Sequence, residues 1–128
     1  MVSYEEFKAM LEEAIDEQPP YCFRNLNGGI LLEEEIKVSP AARNNDLFIL
    51  GQYFRDRVMG RHVVLYYGSF CRVYGNISPE RMGERIRHVL RHELTHHVES
   101  LAGDRSLEEE DALFLARYQQ KFEKQEET

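Results

Sequence analysis

His92, Glu93 and His96, in the run His92-Glu93-Leu94-Thr95-His96, are the residues of this chain whose types and spacing could do chemistry. On a helix, residues four apart differ by about 400° and a ~6 Å rise, so both imidazoles leave one face and can converge on a single ion. Neutral imidazole nitrogen suits zinc. Glu93 is turned ~100° from His92, which sets its carboxylate beside such an ion, where it can address a water instead of acting as a ligand. The plain structural alternative is a helix face on which polar residues have merely gathered.

Three further histidine and arginine features lie on the same helix. His88 extends the stripe, yet the Cα atoms of His88 and His96 would stand ~12 Å apart on a straight helix, too far to share an ion, which leaves His88 at the mouth of a cleft or on plain surface. His97 falls on a neighbouring face and reads as a hydrogen-bonded partner of the core. Arg81, Arg85, Arg87 and Arg91 either pair with the chain's many acids or line a cleft for carboxylate-bearing substrates.

The elements that must position these groups follow from pattern. Phe7, Met10, Leu11, Ala14 and Ile15 recur at helical spacing, with Ser3 and Glu6 as a capping box and Pro19-Pro20 as the stop. After Asn27-Gly28-Gly29, the alternation of Ile30, Leu32, Ile36 and Val38 suggests a strand, with a helical turn at Glu33-Glu34-Glu35 as the alternative. Leu47 to Phe54 and His62 to Tyr67 predict an antiparallel hairpin, and Phe70 to Tyr74 a short connector. Ser78-Pro79-Glu80 starts the histidine-bearing helix, which the apolar positions Met82, Ile86, Val89, Leu90, Leu94, Val98 and Leu101 carry to about Ala102. Gly103 offers a left-handed stop there, and Ser106 with Glu109 would cap a final helix that frays from about residue 119.

The whole chain bounds the rest. Its 128 residues suit one domain, 1–128, with one core. A net charge of −7 lacks the electrostatic footprint of a nucleic-acid binder, and apolar runs such as Val63-Val64-Leu65-Tyr66-Tyr67 fall far short of the ~20 residues a membrane span needs. Cys22 and Cys71 read as reduced thiols, and with an acidic N-terminus unlike a signal peptide they point to the cytoplasm.

On His92-Glu93-Leu94-Thr95-His96-His97, the opening Tyr4-Glu5-Glu6-Phe7 helix, the Val63 to Gly68 strand and the order of elements, the chain resembles the small bacterial zincin-like metallopeptidases, up to about Asp111. That resemblance implies an α+β, zincin-like fold in which a small antiparallel or mixed sheet packs on the active-site helix, with N- and C-terminal helices around it. It also implies a hydrolase that cuts peptide or protein substrates using one Zn2+ ion. The family's extended pattern HExxHxxGxxD is met only in part, since Glu99 and Ala102 occupy its glycine and aspartate positions. With two residues inserted, Asp104 matches the family's aspartate, which makes His92, His96 and Asp104 the expected ligands and Glu93 the general base. Glu99 shares the histidine face, but its Cα would sit ~10 Å from the ion. Glu108 and Asp111 are further ligand candidates. Val63 to Tyr67 is the expected edge strand for an extended substrate, and Tyr66 or Tyr67 the expected donor to a developing oxyanion. Two other functions compete: a non-catalytic binding module that keeps the shape with an incomplete metal site, and a deformylase-type hydrolase, which Cys71 in its Phe70-Cys71-Arg72 setting does not resemble.

Overall fold

Ser3 accepts the Glu6 N–H through its hydroxyl and starts helix α1 (Tyr4–Glu17), whose buried residues Phe7, Leu11 and Ala14 form a stripe along one face. In this computed structural model the backbone is described for residues 1–42, 44 and 46–126, and side chains beyond Asp104 at Leu113, Ala116 and Arg117. A short 3-10 turn (Pro20–Phe23) follows α1, then strands β1 (Gly29–Glu33), β2 (Lys37–Val38), β3 (Phe48–Ile49), β4 (Gly51–Asp56) and β5 (Gly60–Tyr66), and helices α2 (Tyr67–Tyr74) and α3 (Pro79–Glu126). The chain divides into two compact units, Met1–His97 and a second from Val98 onward.

In the first unit, β4 and β5 form the expected antiparallel hairpin, with Tyr53 opposite Val63 and Phe54 opposite His62. Beside β5 on its other edge lies β1, parallel to it, with Ile30 opposite Val63 and Leu32 opposite Leu65. The sheet is therefore mixed, in the order β1-β5-β4, and the small β2-β3 pair stands apart from it. Side chains alternate across a strand, so Val63 and Leu65 point with Ile30 and Leu32 into one core. Phe7, Phe70, Met82, Ile86, Leu90 and Leu94 fill that core from the helices, all essentially without solvent contact. Each such side chain contributes about 1.5–3 kcal/mol by leaving water. An α+β arrangement results, with a small mixed sheet packed on α3.

Several expectations are corrected here. Val63 to Tyr67 is not an edge: β5 is the central strand, because Val63, Val64, Leu65 and Tyr66 are all buried and a run that is apolar on both faces belongs in the middle of a sheet. The strand ends at Tyr66, and the segment read as a connector is helix α2, seated by Phe70 packed edge-on to Phe7 at 4.9 Å. The strand expected over Ile30 to Val38 is broken into β1 and β2 at Glu34 to Ile36. Gly103 does not stop the helix. Positive φ among the described glycines occurs at Gly29, Gly60 and Gly75, so α3 continues through Gly103 and Asp104 stays on the helix instead of folding back from it. Within α3, Ser106 starts no separate helix.

Candidate functional site

Ser78 begins α3 by accepting the Arg81 N–H, with Pro79 at the first helical position. Burial of Met82, Ile86, Val89, Leu90 and Leu94 then fixes which way the helix is rotated. That rotation leaves His92 and His96 exposed and turns Glu93 and His97 inward.

The two exposed imidazoles converge: Nε2 of His92 and Nε2 of His96 are 3.1 Å apart, with the rings nearly perpendicular. Two nitrogens each ~2.05 Å from one tetrahedral zinc ion stand ~3.3 Å apart, so the pair already has close to the separation that chelation demands. In this respect the donor set fits the ion. Among the described residues, no group of three or more His, Cys, Asp or Glu side chains gathers at one point. Glu99 and Asp104 belong to the second unit, Glu99 exposed and Asp104 half-buried. The side chains of Glu108 and Asp111 lie outside the described residues.

Glu93 is 7% exposed. Burial pushes its carboxyl above the usual carboxylate range, and the neighbouring His92 and His96 oppose that rise. Its close neighbour is backbone: a Cβ placed on Gly51 would lie 2.8 Å from Val89 Cγ1 and 3.3 Å from Glu93 Cγ. Glycine at 51 thus lets the edge strand β4 close on α3 at the glutamate. The sequence carried a signal for this residue, since a glycine inside an apolar strand marks a close backbone approach.

His97 is held from two sides. Its Nε2–H donates to the Arg24 carbonyl at 2.7 Å, so in the neutral ring Nδ1 accepts from the Tyr53 hydroxyl, also at 2.7 Å. Tyr53 in turn accepts from an Arg61 N–H at 3.2 Å. This chain ties α3 to β4, to β5 and to the segment after α1, which makes His97 a pin for the helix. Tyr53 drew no notice in the sequence; two residues along β4 from Gly51, it shares that glycine's face toward α3.

Tyr66 and Tyr67, the expected oxyanion donors, are committed elsewhere. On β5 the residue facing α3 is Leu65, which pairs with Gly51, so Tyr66 projects from the opposite face, where its hydroxyl donates to Gln52 Oε1 at 2.7 Å. Tyr67 donates to the Val2 carbonyl at 2.6 Å and packs against Tyr4 and Phe7. His88 is exposed one turn before His92. Of the helix arginines, Arg87 reaches Glu17 at 4.0 Å and Arg85 lies over the Tyr74 ring at 5.4 Å.

Among solved structures, the chain is similar to that of a conserved hypothetical protein, TTHA0227, from Thermo thermophilus: the two are 32% identical, the match covers 79% of this chain and 98% of that one, and the TM-score is 0.67. No protein-family model and no curated protein matches. No described helix is long and apolar enough to cross a membrane.

Proposed function

The chain belongs to the family of the conserved hypothetical protein TTHA0227, and on that premise we propose that it is a zincin-like, zinc-dependent peptidase with Glu93 as general base. The observation that carries this reading is the 3.1 Å approach of the His92 and His96 Nε2 atoms on an exposed helix face, with the intervening acid buried beside them. His92 and His96 would hold the ion, while Asp104, the third ligand that the resemblance nominates, belongs to the second unit and forms no donor group with them among the described residues. A zinc ion so held supplies a Lewis acid for the peptide carbonyl and brings the pKa of a water toward ~7.

The chain's own residues account for the rest. Glu93, partly desolvated against Gly51, is poised to take the proton of the attacking water and hand it to the leaving amine, a role usually worth about 10²–10⁴-fold in rate. Edge strand β4, the strand nearest Glu93, replaces β5 as the surface along which an extended peptide would add. His97, through Tyr53 and Arg24, holds the helix at the rotation that keeps both ligand histidines outward.

The second reading, a binding module without catalysis, draws support from the lack of a third donor gathered with the two histidines among the described residues. One experiment separates the two. Zinc content and cleavage of a mixed peptide library are measured for the wild type and Glu93→Gln. A peptidase binds near-stoichiometric zinc and loses cleavage in the variant while keeping its metal. Cleavage that survives Glu93→Gln unchanged, or a wild type that binds no zinc, overturns the proposal.

A further inference from the structure

We infer that Arg85, with Arg81 one turn before it, is the specificity determinant of the candidate site, and that it selects extended peptides carrying a carboxylate side chain. Arg81, Arg85, His88, His92 and His96 follow one another at steps of four, three, four and four residues, so they share one ridge of α3, and all of them are exposed. The acids of this stretch lie off the ridge. Glu80 and Glu84 line a groove against α1 with Met10, Glu13 and Arg87, and Glu93 is buried. In a chain of net charge −7, the ridge thus approaches the histidine pair with a local field opposite in sign to that of the whole.

Arg85 is held in place without spending its hydrogen-bond donors. Its guanidinium lies over the Tyr74 ring at 5.4 Å, a cation–π contact that steadies the group and leaves the N–H fork at its rim able to donate. Arg87 differs, since it turns to the α1 side and reaches Glu17 at 4.0 Å. Among the described residues, no carboxylate stands within ion-pair distance of Arg81 or Arg85. A carboxylate arriving from outside therefore meets a guanidinium fork that matches it in two parallel hydrogen bonds.

Position along the helix supplies the link to the candidate site. Gly51 lies against Glu93 and Tyr53 bonds to His97, so β4 and α3 run in the same direction. Arg85 precedes Glu93 by eight residues, ~12 Å along the helix, and a peptide paired with β4 that continues past Gly51 toward β3 covers this distance in about three or four residues. Its acidic side chain belongs that many positions from the bond addressed by Glu93. The link to cleavage rests on the peptidase reading; the charge recognition itself does not.

The test uses fluorescence anisotropy with labelled extended peptides that carry glutamate near one end or the other, alongside glutamine counterparts, on the full chain bearing Glu93→Gln. Peptides with glutamate at the end that reaches Arg85 should bind about tenfold more tightly than glutamine ones, an advantage that shrinks as salt rises. Adding Arg85→Gln should abolish that preference, whereas adding Arg91→Gln, at an exposed arginine off the ridge, should leave it. Equal binding of glutamate and glutamine peptides, a preference that persists with Arg85→Gln, or one that Arg91→Gln erases as fully, overturns the assignment. Cleavage of the same peptides by the wild type is scored in parallel. Cutting without charge preference removes the role of Arg85 and leaves the peptidase, whereas Arg85-dependent binding without cutting removes the peptidase and leaves the recognition.

Discussion

His92 and His96 bring their Nε2 atoms to 3.1 Å on the solvent side of α3, a separation that places two lone pairs, or one donor and one lone pair, on a common point. Zinc added to the wild type should therefore raise its melting temperature, with a stabilisation of about 2.7 kcal/mol when free zinc is a hundred times Kd. His92→Ala and His96→Ala should each abolish that rise and bring bound metal, measured by elemental analysis, close to zero. Full metal content in both single variants would place the ion elsewhere.

Gly51→Ala puts a methyl group 2.8 Å from Val89 Cγ1, a stiff β-branched side chain, so β4 and α3 must part. The expected cost is about 1–3 kcal/mol, read as a lower denaturant midpoint at unchanged slope. A variant as stable as the wild type would show that the strand and helix separate freely at Glu93.

Tyr53→Phe removes the hydroxyl that donates to His97 Nδ1, leaving a fully buried imidazole nitrogen without its donor. The loss should be about 1–3 kcal/mol of stability. Hydrogen exchange of the α3 amides around His97 should rise in parallel, and unchanged exchange would argue against the pin.

Tyr67 makes a pH prediction whose sign is determined. Burial, with smaller contributions from Cys71, Glu6 and Glu34, pushes its phenol up to about 12 from 10.0. A group whose folded pKa is raised contributes stability that is complete below the unfolded value and is lost as pH climbs through the folded one. Between about pH 10 and 12 the unfolded chain ionises Tyr67 first, so stability falls across that window. Tyr67→Phe should flatten this fall relative to the wild type in denaturant titrations. Parallel curves for the two proteins would assign the alkaline loss to other groups.

Much of the first unit was legible in the chain. Ser3 and Ser78 cap the helices that their spacing foretold, and the four-residue step from His92 to His96 places both rings on one face because helical geometry allows nothing else. The errors have common causes. Val63 to Tyr66 carries no alternation that could distinguish a central strand from an edge, so its place depended on β1 arriving from distant sequence to lie parallel to it. Gly103 can adopt a left-handed turn but is not compelled to, and the helix ran on through it.

By itself, then, the sequence determined the helix starts, the hairpin and the convergence of two imidazoles, because these depend on neighbours within a few residues. Only the tertiary structure decided that β4 is the strand at Glu93, that Gly51 permits the contact, that His97 answers to Tyr53 and Arg24, and that Tyr66 and Tyr67 spend their hydroxyls on Gln52 and Val2. Those relationships join residues far apart along the chain. What selects them is the packing of buried surfaces and the need to satisfy every buried polar group, and neither is written in local spacing.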